Sequence, residues 1–307
     1  MRDELTDAER AFIATLPGPP EMAEIRASNV WIVEWLSVDE PHTGRKLHDW
    51  MKERRPGWSA YFFCQSKKEV IAAIANAAER AQRSELRPVL HLESHGGDLG
   101  LEGPAGKGST ELLTWDELTE PLQHLNLATR CNLMVVVAAC TGFAGVQALQ
   151  RGPRAPAVAL VGPDAPVMPS NLLWGAKEFY RRWLDENPRL TDIAESASRE
   201  AGAIAFEWEP FAILAYDAFV ECLMKSMRPT ERLERTERIR QRMLAETRLS
   251  ASEVEARLAL MPPLPPWEGL QQSWDEMFMI DLYPRNRERF GLDLRTIVDR
   301  ISASRIS

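Results

Sequence analysis

Two apolar runs, each ending in a reactive residue beside glycine, constrain most strongly what this chain can fold into. The first reads PVLHLESHGG, residues 88–97, and the second NLMVVVAACTGFAG, residues 132–145. Each has strand length and is closed by a glycine turn, which predicts buried strands. The second is apolar on both faces, as a central parallel strand covered on both sides must be. In an open parallel sheet, catalytic groups gather beyond the carboxyl ends of the strands. His95 and Cys140 both fall at such ends. The pattern therefore predicts that they lie side by side, with Cys140 as a candidate nucleophile.

The flanking sequence supplies the rest of a sheet. Residues 29–38 (NVWIVEWLSV) and 58–64 (WSAYFFC) predict two strands ahead of the histidine run, and 157–162 (AVALVG) one strand after the cysteine run. Between them lie helical patterns. Residues 45–54 place Leu47, Trp50 and Met51 on one face. Ser66 caps a helix whose Val70, Ile71, Ile74 and Ala78 recur at helical spacing. A helix is expected within 111–126 (TWDELTEPL), another over 143–151 and another over 171–186, while 96–108 reads as an irregular Gly-rich segment. Strands alternating with helices predict right-handed crossovers and a mostly parallel sheet in a three-layer α/β unit.

Composition narrows the function classes. The chain has 307 residues, room for one large or two ordinary domains. A net charge of −8 argues against nucleic acid or an anionic membrane as partner, since both select basic surfaces. Cys64, Cys131, Cys140 and Cys222 show no metal-ligand or disulfide-framework spacing. The longest apolar run, residues 133–140, is far short of the roughly 20 residues that span a bilayer. The opening MRDELTDAERAF lacks an apolar signal core, so a cytoplasmic protein with reduced thiols is expected.

The ends of the chain carry less chemistry. Residues 1–27 read as a helical lead-in, with Thr6 and Asp7 capping a helix that runs to Leu16 and stops at PGPP, 17–20. From 188 to 307 an α-helical subdomain is expected. Residues 190–225 read as helices, 229–248 as a strongly charged helix with a solvated face, 261–269 (MPPLPPWEG) as a stiff connector, and the tail as a turn and a final helix.

Around the two reactive residues the details suit acyl transfer. Gly96 and Gly97 let the backbone approach a substrate closely. A helix starting just after Cys140 would favour a thiolate there. Backbone N–H groups at Gly96 and Cys140 would make an oxyanion hole. With SHGG at 94–97, AACTG at 138–142 and about 45 residues between them, the chain resembles the caspase-like clan of cysteine peptidases. TWDEL between the motifs and AVALVG after them resemble its bacterial CHAT-type branch. The resemblance covers residues 28–187 and implies a caspase-like fold. It implies Cys140 as nucleophile, His95 as general acid/base, and no obligatory third member or cofactor. At Ala138, two positions before the cysteine, relatives carry a residue that shapes the pocket for the side chain preceding the scissile bond (P1). Asp164 lies near the place where some members hold a basic P1 residue, which leans towards cleavage after Arg or Lys. The implied partner is a protein substrate. Activation by a second protein, engaging the C-terminal helices within a bacterial defence or regulated-cell-death system, is also implied. The Gly-rich segment 96–108 is then the part expected to move.

Two rival readings belong to other classes. The chain is alternatively a non-catalytic interaction module that kept the fold. Alternatively, His91, Glu93 and His95 alternate on one strand and so share a face, which suggests a metal-dependent hydrolase. Their spacing of roughly 6–7 Å per two residues is awkward for one ion. Cys64, Cys131 and Cys222 read as structural.

Overall fold

In the computed structural model the two apolar runs are adjacent parallel strands, with Val89 opposite Met134 and Glu93 opposite Ala138. The structure describes residues 5–20, 25, 27–106, 108–148, 152–186, 190–200, 206–246, 249–261 and 264–304. In chain order its elements begin with α1 (Asp7–Ile13), β1 (Asn29–Trp35), α2 (Thr43–Arg54), β2 (Ser59–Phe63), α3 (Lys67–Ser84) and β3 (Pro88–Gly97). Next come β4 (Gly100–Pro104), β5 (Thr110–Thr114), α4 (Trp115–Ala128), β6 (Met134–Ala138), α5 (Gly145–Ala148), β7 (Ala159–Pro163) and α6 (Pro169–Asp185). The remainder is α7 (Leu190–Glu200), β8 (Phe206–Pro210), α8 (Phe211–Met227), α9 (Pro229–Glu246), α10 (Ala251–Ala259), α11 (Trp267–Met277), α12 (Arg287–Phe290) and α13 (Leu294–Ala303).

By its contacts the chain divides into two units. One comprises residues 22–211 and 277–286, the other residues 1–21, 212–276 and 287–307. The first is the sheet unit. Its strands run in the order β2-β1-β3-β6-β7-β8, with β8 antiparallel to β7 and the other pairs parallel. Helices α3 and α4 pack together, as do α2 and α6, and α6 and α7. The unit is therefore mixed α/β, with a mostly parallel sheet flanked by helices. Parallel neighbours need long crossovers, and α2, α3 and α4 supply them.

Local sequence explains the helix starts. Ser66 accepts the Glu69 N–H and so caps α3. Thr114 and Glu117 form a reciprocal capping box for α4, which fixes its start at Trp115. Proline at the first position opens α6 at residue 169.

Three stretches depart from the sequence expectation. The Gly-rich segment is not irregular: β4 folds back antiparallel on the end of β3, and β5 pairs antiparallel with β4. Gly103 permits this, because a Cβ there would lie 2.4 Å from the ring of Trp35. The Trp35 indole N–H in turn donates to Pro104 O at 3.0 Å. The helix expected over 143–151 is a 3₁₀ turn at Gly142–Ala144 followed by the four-residue α5; residues 149–151 lie outside the described residues. The sheet unit also extends beyond residue 187, because FEWEP forms β8 where only helix was expected. Residues 277–286 join it too: Ala155 N–H donates to Met277 O at 2.9 Å, and Arg154 pairs with Asp281 at 2.8 Å.

The second unit is helical. Trp274 is fully buried there, donates its indole N–H to Phe290 O at 2.7 Å, and meets the Phe219 ring edge-on. Thr6 and Glu9 cap α1, which ends at Ile13 rather than Leu16; Arg228 pairs with Glu9 at 2.9 Å. No described helix is long and apolar enough to cross a membrane.

Candidate active site

Strand register dictates what surrounds the site. Glu34 of β1, Glu93 of β3 and Ala138 of β6 form one row across the sheet, all facing the same side. Two residues further along, the same face carries Leu36, His95 and Cys140. His95 lies on β3 where that strand has begun to pair with β4, and Cys140 lies two residues past the end of β6, each two residues beyond the last β3–β6 pair. Both line a single cleft, together with Leu36, Glu40, Thr43, Glu93, Ala138 and Val167. Its volume of about 70 Å³ admits the end of a side chain, whereas pockets that enclose whole small molecules hold roughly 300–1,000 Å³.

The backbone at the cysteine is unusual. Thr141 adopts φ +49°, a left-handed conformation that is an outlier for a β-branched residue, and its hydroxyl is buried with no hydrogen-bond partner among the described residues. Strain of this kind costs on the order of 1–3 kcal/mol and concentrates at functional sites. The Thr141 N–H donates to Ala165 O at 3.3 Å and the Gly142 N–H to Ala139 O at 3.0 Å. The Cys140 N–H has no hydrogen-bond partner among the described residues. Of these three amides it is the one left for an oxyanion. Gly96 stands beside it: a Cβ on Gly96 would fall 2.6 Å from Cys140 O and 2.7 Å from the Ala139 methyl. The thiol accepts the Val167 N–H at 3.4 Å. The helix expected to start just after Cys140 begins as the 3₁₀ turn at Gly142–Ala144, and α5 follows from Gly145.

His95 is more exposed, with 57% of its side chain accessible, and its Nε2 lies 2.5 Å from Glu40 Oε1. Sequence reasoning missed Glu40. Its signal was position alone: it lies in the loop that leaves the carboxyl end of β1, the neighbour of β3.

Beneath the cleft sits an acidic layer that sequence reasoning also missed. Glu34 is fully buried and accepts from the Gly44 N–H at 2.7 Å, Tyr61 Oη at 2.5 Å and His42 Nδ1 at 3.0 Å. The Gly44 amide belongs to the first turn of α2, so a carboxylate from β1 satisfies that helix end. Glu93 accepts from the Thr43 hydroxyl. Burial, and then the Glu34 charge, push the Glu93 carboxyl well above its ordinary range, so it stays protonated at neutral pH. Burial pushes His91 down to about 3, so it stays neutral. Its Nδ1 is 3.1 Å from Tyr180 Oη, while its Nε2 lies 3.5 Å from Glu93 with no hydrogen bond. That contact joins two neutral groups and is not an ion pair.

These two groups predict a pH signature. Above pH 4.5 an unfolded chain loses the Glu93 proton that the fold retains, so stability falls as pH rises. Below pH 6.5 an unfolded chain protonates His91 while the fold does not until about pH 3, so stability falls as pH drops. The two slopes cancel between 4.5 and 6.5. Glu93→Gln is therefore expected to flatten the decline above about pH 6.5 by up to about 1.4 kcal/mol per pH unit. Urea unfolding at several pH values checks this; an unchanged slope would contradict it.

The other sequence candidates separate. Ala138 lines the cleft floor. Asp164 is exposed just past β7 and does not line the cleft; Val167 does. The chain turns at Pro163–Asp164 before returning towards Cys140, which sequence spacing could not reveal. His91, Glu93 and His95 do share a face, but they bond to Tyr180, Thr43 and Glu40 respectively. Among the described residues no group of three or more His, Cys, Asp or Glu is placed to hold a metal ion. Cys64 is buried, and burial pushes its thiol up to about 12, which makes it a poor nucleophile. No protein family matches the chain, and no curated protein matches it.

Proposed function

We propose that the chain is a caspase-like cysteine endopeptidase working through a Cys140–His95 dyad. The observation that carries this reading is the placement of one half-buried cysteine and one histidine on adjacent strand ends of the same cleft. A strained turn and an unpaired Cys140 amide at the nucleophile position support it.

The chemistry follows from those groups. His95 takes the Cys140 proton as the sulfur attacks a peptide carbonyl carbon. The carbonyl oxygen gains negative charge beside the Cys140 N–H, with the Gly96 backbone on the other side. The C–N bond then breaks and His95 delivers the proton to the departing amine. Water, deprotonated by His95, hydrolyses the thioester and restores the thiol. Glu40 lines the cleft as a charged carboxylate, which disfavours an acidic P1 side chain, while the protonated Glu93 adds no charge. The reading extends to a cytoplasmic enzyme with a protein substrate, switched on through its helical unit within a bacterial defence or cell-death system.

The test is cleavage of a diverse peptide mixture, mapped by mass spectrometry. New termini produced by wild type and absent with Cys140→Ala are expected. Identical peptide maps for the two proteins would favour the non-catalytic interaction module instead.

A further inference from the structure

We infer that Glu40 is the positioning residue of the site, holding His95 through Nε2 and so fixing the tautomer whose Nδ1 lone pair serves Cys140. A neutral imidazole has one N–H and one lone pair, and a carboxylate only accepts. With Glu40 Oε1 2.5 Å from Nε2, the proton belongs on Nε2 and the lone pair on Nδ1.

Most exposed carboxylate–histidine pairs do little, because both side chains wander. Glu40 does not depend on His95 for its place. Its Oε2 accepts the Ser37 N–H at 2.7 Å, and its own N–H donates to Ser37 O at 3.1 Å. The loop is thus closed on itself and presents Oε1 towards β3. Burial works against the charged form of Glu40, but the Ser37 amide and the His95 imidazole outweigh it and leave the carboxyl below its ordinary range. The charge that fixes the tautomer is therefore present at neutral pH.

The chemical consequence rests on the peptidase reading, while the tautomer does not. Two activity-independent readouts test the assignment in the full chain: the His95 side-chain ¹⁵N shifts in ¹⁵N-histidine-labelled protein at about pH 8.5, and the rate at which chloroacetamide alkylates Cys140. Alkylation is followed by peptide mapping, because Cys222 is also exposed. His95→Gln identifies the signal. Wild type is expected in the Nε2–H form. Glu40→Ala is expected to show mixed tautomers and a fall in alkylation of at least about tenfold, with Glu40→Asp restoring part of both. An unchanged tautomer or an unchanged alkylation rate in a folded Glu40→Ala protein overturns the proposal. A wild type that cuts no peptide, yet loses its tautomer in Glu40→Ala, counts against the peptidase reading alone.

Discussion

On the proposed peptidase reading, Cys140→Ala is expected to lower peptide cleavage by at least about 10³-fold while leaving the fold intact, because it would remove the nucleophile and not merely one contact among several. The side chain is partly exposed at a strand end, so its loss opens no cavity in the sheet core. His95→Ala is expected to cost a similar factor, since without it neither thiol activation nor protonation of the leaving amine has a donor or acceptor in place. The double variant is expected to be no worse than the more severe single one, as for groups that act in one step. Steady-state cleavage of a peptide found in the mapping experiment checks all three. A double variant much slower than either single would mean that the two residues act independently, which contradicts a dyad.

The second large effect is steric. Gly96→Ala places a methyl within 3 Å of both Cys140 O and the Ala139 side chain. One neighbour is backbone and the other sits on the strained turn, so the turn itself must shift. A displacement of about 1 Å at a reacting atom costs on the order of 10²-fold in rate. Gly97→Ala, where a Cβ meets nothing within 4 Å, is the matched control and is expected to leave activity within a few-fold of wild type. Equal activity for both variants would mean that the close approach of β3 to Cys140 does not shape the site.

Much of the sheet was legible because a buried strand needs a dense apolar run, and β1, β3, β6 and β7 have one, built from Val with Ile and Trp in β1 and with Leu or Met in the others. The catalytic candidates were legible because glycine turns mark the carboxyl ends of those runs. Segments whose pairing is decided elsewhere were not. The β4 strand packs against Trp35, far back in the chain, and can do so only because Gly103 has no side chain beside that ring. The five-residue β8 alternates Phe and Trp with Glu, but it adjoins the apolar helix α8, whose signal dominates that stretch. Glu34 and Glu93 gain their places from strand register: Glu34 meets Glu93 only because β1 and β3 pair in parallel with that alignment. Glu40 gains its place from a loop that closes on Ser37. Asp164 illustrates the reverse case. Nearness in sequence to the end of β7 placed it by the cleft, and the turn that follows carries it to the surface.

The central claim is that Cys140 is a nucleophile activated by His95. The most direct measurement is labelling with peptide acyloxymethyl ketones carrying Arg, Leu, Ala or Asp at P1, read by intact mass and located by peptide mapping. The account predicts a single adduct on Cys140 of the wild type, none on Cys140→Ala and strongly reduced labelling on His95→Ala. An adduct on Cys222 in place of Cys140, or labelling of Cys140 that proceeds unchanged without His95, would contradict it.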